Sequence, residues 1–441
     1  FTFSPPTIHR GDPEGMIASA RHKIFGEVAC GGQDHFYLEG QIALAQPGEQ
    51  TDIIVYSSTQ HPTEVQHSVS NVLGIPINDV TIEVRRMGGA FGGKESQASI
   101  IAAAAALAAV KTNRPVKLRL RRDEDMIITG KRHDFEFKFV AGVNDEGKIE
   151  GVEITMAMRS GNVADLSPGV LARALCHGDN CYYLPNVCFN GFPCKTNTVS
   201  NTAFRGFGAP QGMLVIEVVI EHIARQLGKS VDEIRSVNYY GTSERNVTPY
   251  EQELKDNIIV ELSERLMREI SYDKRKLEVK KFNASHQTLK KGIALMPVKF
   301  GVSFNAPLLN QAGALVHVYT DGSVHLNHGG TEMGQGLFMK VAQIVAEEFQ
   351  VDIGRIKVSA ANTGKVPNTS ATAASSGTDI NGMAARAAAK TIKNRLIVFA
   401  SKEFGVAVSD IQFLPNRIQA GNHVITFDEL VNILKTRFLL I

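Results

Sequence analysis

No C-x-x-C pair occurs among the five cysteines, and Cys176, Cys181, Cys188 and Cys194 are separated by four, six and five residues. That spacing suits neither a zinc ribbon nor a plant-type iron-sulfur loop, so the thiols read as reduced structural groups of a cytosolic, cytoplasmic protein. The 13 histidines include no H-E-x-x-H, and His325 and His328, flanking two residues of a strand, read as satisfied structural groups. Net charge is almost missing: 47 Lys and Arg against 45 Asp and Glu leave +2. Such a surface has no global field for nucleic acid or a membrane, so any anion must be bound locally. The longest apolar run, Ile100 to Val110, is about half of what a membrane span needs and reads as a buried helix. FTFSPPTIHR has neither an initiator Met nor a signal-like apolar core, and the chain stops abruptly in TRFLLI. Both ends read as truncations.

What is present is an ordinary globular composition, 43% hydrophobic and 21% charged over 441 residues, long enough for about two to three domains. Alternating or β-branched segments at Asp52–Ser58, Asp79–Arg86, Val116–Arg122, Phe135–Val143 and Ile149–Met158 read as strands. NDEGK and TDGS read as hairpin turns whose Gly takes positive φ. Helices are expected over Ser96–Thr112, Gln211–Leu227, Gly336–Phe349 and Thr378–Phe404, giving a mixed α+β class. Ser243–Lys291 is charged and poor in glycine, which sets the expected domains at 1–245 and 291–441 with a charged helical connector at 246–290. Its KRKLEVKK run lies among Glu251, Glu253, Glu261, Glu264 and Glu269, so it reads as a solvated helix face, not as a nucleic-acid patch.

MGGAFGGKES places four glycines between Gly88 and Gly93. Gly88 to Lys94 spells G-x-x-x-x-G-K between strand and helix, but Glu95 stands where a P-loop needs a magnesium-binding hydroxyl, and its charge would repel a nucleotide's phosphates. GFGAPQG has one residue too many for a dinucleotide fingerprint. DVTIEVRRMGGAFGGKE followed by a helix resembles SVHLNHGGTEMGQG followed by a helix, and FRGFGAPQG adds a third glycine loop with an arginine. Each loop aims N–H groups and a helix start at one point, the arrangement that holds a large anionic cofactor, with Gln335 and Arg205 as side-chain donors.

GGQDHFYLE, RRMGGAFGGKES, NTAFRGFGAPQ, KFGVSFNAPLLNQAGALVHVYTDGS, HGGTEMGQG and PNTSATAASS, in this order, resemble the molybdenum domain of the molybdenum hydroxylase family, xanthine dehydrogenase type. The resemblance runs to about Ser376 and fades after Thr378. It implies two related molybdopterin-binding domains and a molybdenum held mainly by the dithiolene of a molybdopterin, with mononucleotide and dinucleotide forms both open. By the same resemblance Phe91, Gly92, Met333, Gly334, Gln335, Ala373 and Arg205 would line the cofactor, with backbone amides of Gly92, Gly334 and Ala373 as donors. Gln33, Phe91, Arg205 and Ala374 would lie nearest the metal, Gln33 beside its apical oxygen.

For the substrate, the resemblance implies a purine between Phe207 and Phe304, with Asn305 and Ala374 beside it. Glu95 would meet a ring nitrogen and assist proton movement, and Arg173 would stabilise charge on a carbonyl oxygen; with Gln33 these are the implied catalytic residues. Aldehyde-oxidising relatives usually lack both the glutamate and the arginine, so the pair points to hypoxanthine or xanthine. Asn305 replaces the threonine often found there, and FRGFG lacks the copper-binding cysteine of the carbon monoxide dehydrogenase branch. The family's general base, a glutamate in a G-E-P-P-like segment, has no match here. Iron-sulfur clusters and FAD are expected on other domains or subunits, passing electrons to NAD, in a dimer of the full assembly with no nucleic-acid or membrane partner. An aldehyde oxidase-type enzyme and a non-catalytic truncated remnant are the alternatives.

Overall fold

The computed structural model describes residues 1–438. Compaction divides the chain into two units, each assembled from separated segments: Phe1–Gln33, Arg132–Asn201 and Gly206–Gly301 form the first, Asp34–Lys131, Thr202–Arg205 and Val302–Ile441 the second. These units are groupings by compactness, independent of the linear division expected from the glycine-poor stretch. The expected connector is two helices, Ile259–Glu269 and Tyr272–Ser285, within the first unit, parted at Ser271 by a left-handed φ of 51°.

In the first unit a five-stranded sheet runs in the order Thr7–Arg10, Val187–Lys195, Ile149–Gly161, Phe135–Val143, His22–Cys30. Phe135, Phe137 and Phe139 alternate inward with charged residues outward, the period of a half-buried strand. Val215, Ile216, Val219, Ile220 and Ile223 give the helix Ala209–Leu227 a continuous apolar stripe, which joins those phenylalanines in one core. The turn at Asn144 closes as expected, with Gly147 at φ 87°.

The second unit's five-stranded sheet has the order Ala361–Asn362, Val80–Val84, Ile53–Ser57, Ile42–Pro47, Val116–Arg119. Its first pair, Ala361 with Val84 and Asn362 with Glu83, is antiparallel and ties the segment after Val302 to the segment before Lys131. A three-stranded sheet of Ala314–Val318, Val324–His328 and Ile356–Val358 carries the helices Leu337–Phe349 and Gly377–Phe404. The alanine-rich helix, Ala98–Thr112, refines the sequence reading: it buries Ala102, Ala105, Ala106 and Ala109 and leaves Ile100, Leu107 and Val110 exposed. Methyl-sized side chains let a helix backbone approach its sheet closely, so the inward face is the small one. The helices Pro62–Leu73 and Ser167–Cys176 went unread in the sequence.

Candidate cofactor and substrate site

Left-handed backbone marks the glycine loops. Gly89, Phe91 and Gly92 have φ of 88°, 55° and 100°; Gly206, Phe207 and Gly208 have 100°, 51° and 97°; Gly334 and Gly336 have 102° and 76°. Ala374 and Ser375 follow at 55° and 58°, and Ser303 at 77°. A side chain in this region costs about 1–2 kcal/mol, and Phe91, Phe207 and Ala374 are three of the residues singled out from the sequence. At Gly92 no side chain fits, because a Cβ would stand 2.7 Å from the Ala203 oxygen.

Within the second unit the first loop is held by residues distant in sequence. Gly88 donates its N–H to Glu39 Oε2 (3.0 Å), Gly92 donates to Gln60 Oε1 (2.8 Å), and the Phe91 carbonyl accepts the Arg205 N–H (2.9 Å). Lys94, fully buried, points its ammonium at Glu39 Oε2 (3.1 Å) and Ser58 Oγ (2.9 Å) over the face of Tyr37. Burial pushes the Lys94 ammonium down and Glu39 pulls it back. Glu95 is buried, its N–H on the Gly92 carbonyl. From the GGQDH segment, His35 bonds the Ala203 oxygen at 2.6 Å and stacks on Phe204, fixing the arm that presents Arg205.

The second loop closes on itself. Glu332 accepts from Gly334 N (2.9 Å), Gly336 N (3.0 Å) and Phe338 N (3.0 Å), and Gln335 bonds Met333 N and the Thr331 oxygen. Met333 packs against the core of the second unit's own five-stranded sheet. Nearby, Ser303 N–H donates to the Ala374 oxygen at 2.9 Å, and Asn310 holds the backbone N–H and C=O of Phe304, both at 3.0 Å. Asn305 is exposed beyond it.

Gln33, Arg173 and Phe207 lie in the first unit. Gln33 Oε1 accepts from Arg132 Nε at 2.7 Å and its carbonyl from Arg132 N at 2.9 Å, so its side-chain NH2 is the end left to donate. Arg173, on the helix Ser167–Cys176, is buried and donates to the Gly301 carbonyl, and desolvation lowers its pKa. One turn on, His177 Nδ1 donates to the Arg173 carbonyl (2.8 Å) and Nε2 accepts from Gly301 N (3.1 Å). That neutral tautomer agrees with burial pushing His177 down to about 4. The ring of Phe207 lies against Gly169, one turn before Arg173, where a Cβ would come within 2.8 Å.

Models for a molybdopterin cofactor-binding domain match residues 2–239 and 265–437. Over 390 residues the chain is 45% identical to a xanthine dehydrogenase/oxidase of Gallus gallus, covering 88% of this chain and 29% of that protein. The chain belongs to the molybdopterin-binding portion of the xanthine dehydrogenase/oxidase family. A nicotinate hydroxylase of Emericella nidulans is 46% identical over 402 residues, covering 90% of this chain and 30% of that protein. A xanthine dehydrogenase of the same organism is 43% identical over 405 residues, covering 92% and 30%. The chain thus spans about 30% of the length of these curated relatives. The solved quinoline 2-oxidoreductase of Pseudomonas putida 86 shares the fold at a TM-score of 0.86 and 21% identity, covering 99% of this chain and 57% of that one.

The residues present suit the family's molybdopterin. Thr331 Oγ1 and Ser376 Oγ are buried without a hydrogen-bond partner, and a Cβ on Gly334 would meet nothing within 4 Å. Buried hydroxyls so rarely lack partners that they mark where an outside acceptor is needed. By contrast the amides of Gly92 and Gly334 and the side chain of Gln335, expected from the sequence to face the cofactor, are engaged by Gln60, by Glu332 and by their own loop. His328 also departs from expectation. It is buried with neither ring nitrogen bonded, and burial pushes it down to about 4. Sequence reasoning missed Gln60, Glu39 and Arg132, which lie far along the chain from the groups they hold, and gave no role to Glu332 and Asn310, which lie inside the quoted motifs.

Proposed function

We propose that this chain carries the molybdopterin of an enzyme that hydroxylates hypoxanthine and xanthine toward urate with oxygen from water, in the cytoplasm. Electrons would leave through iron-sulfur and FAD modules outside the chain to NAD, in a dimeric assembly. The bound cofactor would supply a redox-active metal centre able to accept two electrons from the substrate. Within the second unit, Arg205, Thr331 and Ser376 would hold it.

The observation that carries the purine reading is the buried Arg173, clamped to the Gly301 carbonyl on the helix that also backs the Phe207 ring. A guanidinium fixed out of water is costly as mere structure, yet strongly stabilises negative charge on a substrate carbonyl oxygen. Glu95, buried in the second unit, would accept a ring N–H or pass a proton to a ring nitrogen. Phe207 and Phe304 would offer aromatic faces to a flat heterocycle. A second reading, nicotinate, is favoured by the relative of that name at 46% identity; Arg173 would then pair with a carboxylate.

Purified holoenzyme should carry near-stoichiometric molybdenum and turn over purines. Glu95→Ala should lower purine kcat/KM at least ~10²-fold with molybdenum content near the wild-type level. Unchanged purine turnover would remove Glu95 from its role. Turnover of nicotinate without purines would install the second reading, and turnover of aldehydes alone would replace both.

A further inference from the structure

Gln60 lies between the strand Ile53–Ser57 and the helix Pro62–Leu73, is 3% exposed, and spends all four of its polar groups on two loops. Its N–H donates to the Lys94 carbonyl (2.9 Å) and its Oε1 accepts from Gly92 N–H (2.8 Å). Its Nε2 donates to the Thr372 carbonyl (3.1 Å), and its own carbonyl accepts from Thr372 N–H (2.9 Å). One side reaches the loop of Phe91, Gly92 and Glu95, the other the loop of Ala373 and Ala374. Both loops run in the left-handed region at Phe91 and Ala374, a conformation that persists only where surroundings enforce it. A primary amide is suited to this place because it accepts from one backbone and donates to the other without carrying charge.

We propose that Gln60 is a positioning residue that locks these two loops in register, and so sets the geometry of the groups they present to cofactor and substrate. The clamp itself is read from the geometry; its effect on turnover rests on the function proposed above. Removing the side chain leaves the backbone bonds to Lys94 and Thr372, so the fold survives.

The test compares wild-type, Gln60→Ala and Gln60→Glu holoenzymes. In Gln60→Ala, amide exchange at Gly92 should quicken about tenfold, the loss of one hydrogen bond, while the helix Leu337–Phe349 keeps its protection. Its kcat per bound molybdenum should fall by roughly 10²-fold, the cost of a small misplacement of reacting groups. Gln60→Glu discriminates further. Its carboxylate still accepts from Gly92 but turns lone pairs toward the Thr372 carbonyl, and on protonation it regains a donor. Its kcat should therefore be depressed at pH 8 and climb toward wild type as pH falls to about 6. Wild type run in parallel cancels the titration of His61, Lys94 and Glu95. Unchanged Gly92 exchange in Gln60→Ala, or a Gln60→Glu pH profile parallel to wild type, overturns the clamp. Wild type inactive on purines, nicotinate and aldehydes would remove the proposed function, and the Gly92 exchange result would still decide the clamp.

Discussion

Two strand–glycine loop–helix segments of the second unit, Val80–Val84 leading to Ala98–Thr112 and Val324–His328 leading to Leu337–Phe349, share a pattern and differ in what restrains it. The first loop is held from outside, by Glu39, Ser58 and Gln60. The second is held by Glu332, a residue of the loop itself, whose carboxylate gathers three amides at the helix start. The two meet where Met87 N–H donates to the Glu332 carbonyl at 2.9 Å. A glycine loop has little stiffness of its own, so one loop depends on distant packing and the other on one local anion. Damage should therefore spread from the first and stay confined in the second.

The largest effect is expected at Lys94. Lys94→Met keeps the length of the side chain but strands the Glu39 carboxylate, whose pKa burial raises while Ser58 and Lys94 bring it below its usual value. Removing one partner of so enclosed a pair should cost about 3 kcal/mol, the low end for buried pairs because Glu39 is partly solvated. Denaturant unfolding of the purified protein measures it, and Glu39→Gln in the same chain should recover part of the loss. A cost under 0.5 kcal/mol would mean that the first loop does not depend on its outside supports.

Glu332→Ala comes next. It frees the Gly334, Gly336 and Phe338 amides, for a loss of about 2 kcal/mol, and Glu332→Gln, which keeps an acceptor oxygen, should lose about half. Exchange should quicken at those three amides and stay unchanged at Gly88–Gly93. Equal loosening of both loops would erase the distinction between them.

Much of this contrast could not be read in the sequence. Glycine spacing marks where the chain must turn and where a helix begins, and all four expected helices and five expected strands occur within a few residues of their places. The family resemblance likewise follows from loop residues that sit in fixed order. Restraint is different, since Gln60 reaches Thr372 across 312 positions and Lys94 reaches Glu39 across 55, and neither partner carries a local signature. The same holds for the grouping of Asp34–Lys131 with Val302–Ile441, which is tied by a two-residue strand pairing and by bonds such as Gln60 to Thr372 and Met87 to Glu332. The helix Pro62–Leu73 was a missed opportunity: Pro62 at its first turn, Glu64 behind it and Gly74 at its end are all start and stop signals.

Acidity should separate the two loops by the smallest margin. His328 opens the second loop, and burial takes it from 6.5 to about 4, whereas no histidine lies between Val80 and Thr112 in the first segment. Because the folded pKa is depressed, the neutral ring's contribution is complete above pH 6.5, erodes as the unfolded chain takes up its proton, and is gone once pH passes below about 4. At pH 5.5, one unit into that window, the loss is about 1 kcal/mol. Amide exchange corrected for intrinsic rates should then show Gly329–Gly336 loosening relative to Gly88–Gly93 between pH 7 and 5.5. His328→Phe, which keeps an edge-on ring beside Phe338, should abolish the difference. If the mutant loosens as the wild type does, the acid response belongs to other groups and His328 is silent.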